Sequence, residues 1–126
     1  MDQVKRNKEF IIRYFNATSG KPKTRELLEK YNADPGLVGN ILFKESIFPA
    51  YEAEIDEMIA EGDRVVVRAR FKGVHQGDQL GIPATHKVVT YVFVVGYEVK
   101  NDMIVNSWLV ADNMAIVEQL QSTKQA

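Results

Sequence analysis

The chain has 126 residues, of which 45% are hydrophobic and 26% are charged, which is the ordinary composition of a globular domain. Sixteen Lys and Arg against seventeen Asp and Glu leave a formal net charge of −1, so no field from the whole chain attracts nucleic acid or anionic lipid. We therefore expect one domain over residues 1–126 that binds neither nucleic acid nor a membrane.

Metal and disulfide chemistry are disfavoured by the residue counts. Cysteine is absent, and the two histidines are His75 and His86, too few for a zinc site without help from carboxylates. The N-terminus is charged where a signal peptide needs an apolar run, and no stretch reaches the ~20 apolar residues of a membrane span. These features predict a cytoplasmic protein without a metal or cofactor.

The first part of the chain has helical periodicity. Between residues 4 and 15 apolar side chains, Tyr14 among them, recur at three- and four-residue spacing, which predicts an amphipathic helix. After a Ser-Gly-Lys-Pro break, Thr24 and Asp34 each stand where a capping residue would begin a further helix, the second followed by a proline that suits a first helical turn. Three helices are therefore predicted before Pro49.

After Pro49 the period becomes that of β-strands. One strand ends at a tight turn of Gly62 and Asp63, and a second runs from Arg64 to Val74 with apolar residues on one parity and basic residues on the other. This alternation predicts a sheet with one dry and one wet face. The same parity carries His75 to the dry face, at the mouth of whatever the sheet encloses.

Two more strands are predicted, at about residues 88–99 and 103–110, with a turn at Asn101 and Asp102 between them. In the last strand Trp108 shares its parity with Asp112, and we expect both side chains to point into the same apolar space. A short helix follows from about residue 113. One side of the third strand carries Tyr91, Phe93, Val95 and Tyr97.

The order of elements predicts an α+β fold, because the helices precede the strands instead of alternating with them. N-terminal helices should pack on a strongly curved antiparallel sheet and enclose a pocket. The sequence has no glycine-rich turn from a strand into a helix, which disfavours a dinucleotide-binding fold.

Asp112 is the first candidate for chemistry. A carboxylate beside an apolar aromatic wall has a raised pKa, which suits it to remove a proton next to a carbonyl group. Asp112 also directly precedes the last helix, where it can serve as an N-cap. The sequence is consistent with both roles of Asp112, as a catalytic base and as the N-cap of the last helix.

His75 is the second candidate. A lone imidazole between two glycine-containing segments can donate a hydrogen bond to a developing enolate or exchange protons with it. The alternative is a histidine that anchors the following loop through the backbone. Aromatic residues of the strands, such as Trp108, Tyr91 and Phe93, either line a pocket or simply fill the core.

Two segments carry a family resemblance, EGDRVVVRARFKGVHQGDQLGIPATHKV and the ending NDMIVNSWLVADNMAIVEQL. From about Phe48 to Leu120 the chain resembles the SnoaL-like polyketide cyclases, also called ester cyclases, of the nuclear transport factor 2-like superfamily. The resemblance implies a cone of curved sheet closed by helices around a deep apolar pocket, and a homodimer formed through the sheet.

The resemblance also implies roles for single residues. Asp112 matches the general base of characterised cyclases, His75 the histidine of the GxHxG segment, and Trp108 a tryptophan of the pocket wall. Relatives often carry His directly before that tryptophan, where this chain has Ser107. The residues expected to contact the ligand are Trp108, Tyr91, Phe93, Tyr14 and Ser107.

These observations predict a cofactor-independent enzyme of cyclase or isomerase type that acts on a hydrophobic, polyketide-like carbonyl compound. Asp112 would remove an α-proton, and His75 or a tyrosine such as Tyr91 would hydrogen-bond the enolate oxygen. A non-catalytic protein that binds a small molecule in the same pocket is the alternative.

Overall fold

A computed structural model describes residues 2–79 and 81–121 of the chain. The three predicted N-terminal helices are followed by a four-stranded antiparallel sheet and a last helix, which confirms the predicted α+β fold class. The elements in chain order are α1 (Gln3–Thr18), α2 (Arg25–Glu29), α3 (Pro35–Ile47), β1 (Glu52–Glu61), β2 (Arg64–Val74), β3 (Val88–Lys100), β4 (Met103–Ala111) and α4 (Asn113–Gln121).

The predicted capping residues begin the helices. Thr24 Oγ1 accepts a hydrogen bond from the backbone N–H of Leu27 at 3.2 Å. Asp34 Oδ1 accepts one from Gly36 at 3.0 Å, with proline at the first position of α3. Each cap satisfies an N–H group that has no partner within its helix, so local sequence decides where these helices start. None of the helices in the described ranges is long and apolar enough to cross a membrane.

The strands follow one another across the sheet in the order β1-β2-β3-β4. Gly62 in the first hairpin has φ of 59°, and Asn101 and Asp102 in the last have φ of 53° and 56°. These left-handed conformations build tight turns whose twist matches that of the paired strands. The predicted hairpins are confirmed.

The inner face of the sheet, which packs against α1, carries the core. Alternate residues of β2 are buried there, from Val65 at 0% exposed to Phe71 at 2%, as their parity predicts. One cluster of buried residues joins α1 to the sheet around Phe10 and Ile11. A second joins Phe48, Phe71 and α4.

A β-bulge changes the face of every residue in the later part of β4. Glu98 pairs with Asn106, whereas the next residue, Val99, pairs with Ile104, which leaves Val105 as an extra residue. Because side chains alternate with a period of two, one extra residue exchanges the two faces. Ile104 lies in the core and is 0% exposed, whereas Trp108 and Val110, which are an even number of residues away, lie on the opposite face.

The predicted inward orientation of Trp108 is wrong, because the bulge exchanges the two faces of β4 before this residue. Trp108 pairs with Gly96, and a Cβ atom at that glycine would overlap the indole ring. The flanking Val95 and Tyr97 are buried on the inner face, so the indole lies over Gly96 on the outer face. Trp108 and Asp112 do share a parity, but it is not that of the inner face.

Candidate functional site

A cavity of about 290 Å³ lies between the helices and the inner face of the sheet. Its wall is mostly aromatic and aliphatic, with Tyr14 from α1, Ile41 from α3 and Phe93 from β3. Asn40 of α3 is exposed, and Leu109 of β4 is 55% exposed, although both line the cavity. The opening of the cavity therefore lies between α3 and β4.

All five residues predicted to contact a ligand border this cavity, namely Tyr14, Tyr91, Phe93, Ser107 and Trp108. Ser107 faces inward, because it pairs with the buried Tyr97. Trp108 lies between Ser107 and Leu109, which both face inward, and it borders the cavity there although its ring covers the outer face of the sheet. Binding of a ligand by these residues stays a prediction.

A lysine enters the cavity from the last turn of α3. Lys44 Nζ donates a hydrogen bond to Tyr91 Oη, and it lies 5.1 Å from the ring centres of both Tyr91 and Phe71. Those two rings stack on each other with centres 4.5 Å apart. Across residues 2–79 and 81–121, no carboxylate lies within 4.0 Å of this ammonium group. Burial lowers the pKa of Lys44 to about 8.

Sequence reasoning missed Lys44, although a signal was present. Leu37, Ile41 and Lys44 follow each other at spacings of four and three residues, so they share one face of a helix. That face is apolar at the first two positions. A lysine on the apolar side of a helix is unusual unless its amine has a specific task or partner.

A second lysine, Lys23, is 5% exposed and lies in the loop before α2. Its ammonium donates to the carbonyl oxygens of Lys21 at 3.0 Å and Tyr51 at 2.8 Å, and it lies 3.7 Å from a carboxylate oxygen of Glu45. It also sits 3.8 Å from the centre of the Tyr51 ring. Burial lowers the pKa of Lys23 to about 8, and the Glu45 charge opposes that change.

The phenols around the cavity are hydrogen-bond donors at neutral pH. Burial raises the pKa of Tyr14 to about 12, against a smaller lowering by the side chain of Asn32. Burial also raises the pKa values of Tyr51, Tyr91 and Tyr97. Because Tyr91 Oη accepts from Lys44, its own hydrogen is free to point at a ligand.

Asp112, the predicted base, lies at the start of α4 and is exposed. Its Oδ1 accepts a hydrogen bond from the backbone N–H of Ala115 at 3.0 Å, which is the geometry of an N-cap. It is not among the described residues that line the cavity. The capping role is therefore observed, and the catalytic role stays a prediction.

His75, the second predicted catalytic residue, is fully buried. Its Nδ1 accepts a hydrogen bond from the backbone N–H of Thr85 at 3.0 Å, and its ring lies 5.7 Å from that of Phe48. Burial lowers its pKa. The histidine thus anchors the loop after β2, and the described cavity wall includes neither His75 nor Asp112.

Metal ligation has no support in the described ranges. Residues 2–79 and 81–121 contain no group of three or more His, Cys, Asp or Glu side chains placed to hold a metal ion.

The chain belongs to the SnoaL-like polyketide cyclase family, whose model matches residues 42–120, more than half of the sequence. This confirms the family resemblance and its nuclear transport factor 2-like fold. No curated protein sequence matches the chain significantly.

Solved structures share this fold at low sequence identity. A proposed SnoaL-like polyketide cyclase from Jannaschia sp. CCS1 is 21% identical, with 98% of this chain and 99% of that chain covered and a TM-score of 0.78. A proposed polyketide cyclase from Acidithiobacillus ferrooxidans is 21% identical over 96% and 98% of the two chains, with a TM-score of 0.79. AclR, a proposed hydroxylase from Streptomyces galilaeus, is 18% identical over 94% and 82%, with a TM-score of 0.80. These likenesses support the fold alone.

Proposed function

We propose that this protein is a cofactor-independent enzyme of cyclase or isomerase type that acts on a hydrophobic carbonyl compound in the cavity between α3 and the sheet. One observation carries the proposal. The hydroxyl of Tyr91 and the ammonium of Lys44 meet inside a wall that is otherwise largely apolar. An apolar cavity with a few convergent polar groups is the usual form of a small-molecule site.

The polar pair has the chemistry that a carbonyl substrate needs. The free O–H of Tyr91 can donate to the carbonyl oxygen, and the donation from Lys44 to Tyr91 makes that O–H a stronger donor. When an α-proton leaves, negative charge develops on the same oxygen. A donor fixed in a cavity with little water stabilises that charge far more than water does, which lowers the barrier.

The proton acceptor is a separate question. The resemblance assigns this role to Asp112, which caps α4 outside the described cavity wall. Lys44 in its neutral form is a basic group that borders the cavity and, within residues 2–79 and 81–121, has no carboxylate partner. We therefore treat Asp112 and Lys44 as alternative bases, and the variants below separate them.

The second candidate function is binding of a hydrophobic small molecule without turnover. The capping geometry of Asp112 favours it, because that carboxylate already has a structural role. The presence of Ser107, where relatives often have His, also favours it.

Ligand screening followed by product analysis tests both functions. Hydrophobic ketones and β-dicarbonyl compounds that bind in the cavity will raise the melting temperature, and an enzyme will return them chemically changed. We expect Tyr91→Phe to lower turnover by about 100-fold, the scale of losing one oxyanion donor. Asp112→Asn should keep turnover if Lys44 is the base. Binding of compounds that all return unaltered would establish the second candidate.

We also propose a homodimer formed through the outer face of the sheet. Val92, Trp108 and Val110 are 50%, 48% and 63% exposed there, and they lie on the adjacent strands β3 and β4. Val110→Glu should yield monomers in analytical ultracentrifugation. Phe43→Glu, at a position 67% exposed on α3, is the matched control and should not change the mass. A monomeric wild-type protein would contradict the proposal.

A further inference from the structure

Lys44 has a chemical environment that hydrogen bonding to Tyr91 does not fully explain. Its amine borders the cavity, aromatic rings flank it, and no carboxylate within residues 2–79 and 81–121 neutralises it. A lysine kept only for its charge is normally paired when it is buried, as Lys23 is here. An amine without a carboxylate partner in an apolar cavity is typical of a nucleophile.

We propose that Lys44 forms an imine with the carbonyl group of the bound ligand. The inference rests on the proposed function, because it requires a carbonyl compound in the cavity. It goes beyond that function by assigning a covalent intermediate and the residue that forms it.

The step balances without any further reactant. The neutral amine of Lys44 attacks the carbonyl carbon, a C–N bond forms, and the carbonyl π electrons move to oxygen, which takes up the first of the two amine protons. Nitrogen then gives up its second proton while the C–O bond breaks and the hydroxyl gains a proton, so that an amine and a carbonyl become an imine and one water molecule. Tyr91, hydrogen-bonded to the amine, is placed to donate a proton to the departing oxygen.

An imine also supplies a route to carbon–carbon bond formation. When protonated, it acidifies the neighbouring C–H bond, and loss of that proton gives an enamine. The enamine carbon can attack a second carbonyl of the same molecule and close a ring, after which water releases the product and restores Lys44. This route needs a weaker base than direct formation of an enolate.

The aromatic surroundings make the amine available. Burial against Phe71 and Tyr91 lowers the pKa of Lys44 to about 8. About a tenth of the amine is then neutral at pH 7, a far larger share than for an exposed lysine with a pKa near 10.4.

Reductive trapping tests the inference. The folded protein is incubated briefly at pH 7 with a small excess of 2-naphthaldehyde and sodium cyanoborohydride, which reduces an imine to a stable amine, and adducts are mapped by peptide mass spectrometry. We expect modification of Lys44 at least about tenfold faster than of the exposed Lys30 and Lys72. Its labelling rate should level off above pH 8, whereas the rates at exposed lysines keep rising.

Three variants separate imine formation from simple binding. Lys44→Arg keeps the positive charge but cannot form this adduct, so single-site labelling should disappear. Lys72→Arg is the matched control and should label Lys44 at the wild-type rate. Tyr91→Phe should slow the reaction at Lys44 by about tenfold or more, because the proton donor is gone.

Adducts spread evenly over the exposed lysines, with Lys44 not preferred, would overturn the inference. Thermal shift with 2-naphthalenemethanol, the matching alcohol, then shows which proposal has failed. Stabilisation by the alcohol without an adduct on Lys44 leaves the ligand-binding cavity standing and removes only the imine. If the alcohol does not stabilise the protein and no adduct forms on Lys44, both the imine and the carbonyl-binding function are contradicted.

Discussion

Two lysines reach the same cavity, and their surroundings differ in kind. Lys23 is held by two backbone carbonyls, the Glu45 carboxylate and the face of Tyr51. Lys44 has the hydroxyl of Tyr91 and the faces of two rings. Burial lowers both pKa values to about 8.

This difference in partners distinguishes Lys23, whose contacts are structural, from Lys44, for which we propose a functional role. The contacts of Lys23 offset part of its desolvation and join the loop before α2 to α3 and to Tyr51. Lys44 has no carboxylate within residues 2–79 and 81–121 to offset its desolvation, so we expect this side chain to reduce the stability of the fold. We propose that stability is given up at Lys44 for a task at the site.

The largest expected change in the free energy of unfolding concerns Lys23. Lys23→Met should lower the free energy of unfolding by about 3 kcal/mol, because Glu45 and the Tyr51 carbonyl lose a buried partner. Urea unfolding measures the change, with the exposed Lys21→Met as control. A loss below about 1 kcal/mol would show that the contacts of Lys23 do not stabilise the fold appreciably, and the contrast with Lys44 would then fail.

The next effect has the opposite sign. Lys44→Met should raise the free energy of unfolding at pH 7 by about 2 kcal/mol, since an apolar side chain of similar length removes a poorly compensated charge from an apolar site. Lys72→Met, at an exposed position, should change it by less than about 0.5 kcal/mol. Destabilisation by Lys44→Met would show that Lys44 is a structural residue like Lys23.

The pH dependence of that difference is a third test. Below pH 8 the folded and unfolded chains both hold the Lys44 proton, and the wild type carries the full desolvation penalty. Above pH 8 the folded chain releases the proton while the unfolded chain still binds it, so wild-type stability rises with pH. The advantage of Lys44→Met should therefore shrink by about 1 to 2 kcal/mol between pH 7 and pH 10. The Lys23 contribution is common to both proteins and cancels.

The smallest effect concerns a residue outside the cavity. Asp112→Ala should cost about 1 kcal/mol of stability through loss of the cap on α4, whereas Asp112→Asn should change it by less than about 0.5 kcal/mol, because Asn caps equally well. Thermal unfolding measures both variants. Equal losses in the two would show that the charge of Asp112 matters beyond capping.

Much of the architecture could be predicted because the responsible interactions are local. Thr24 and Asp34 cap their helices within three residues of sequence. The hairpin turns rest on residues that tolerate a positive φ, and alternation in β2 follows directly from the geometry of a strand. Five residues that border the cavity were also named, in part from the family resemblance, although the indole of Trp108 covers the outer face.

The site itself depends on contacts between residues distant in sequence. Lys44 and Tyr91 are 47 positions apart, and only the packing of α3 on the sheet brings them together. Sequence reasoning instead selected Asp112 and His75, residue types with catalytic potential, and the structure uses the first as a cap and the second as an anchor for the loop.

The sequence by itself determined the α+β order and the helix starts, because capping, turn chemistry and periodicity act over a few residues, and its motifs carried the family resemblance. Only the tertiary structure decided which face of β4 lines the cavity. One extra residue, Val105, exchanges the faces, and its position depends on how β4 pairs with β3. The indole of Trp108 therefore covers Gly96 on the outer face, and the packing of α3 on the sheet brings the amine of Lys44 to the cavity.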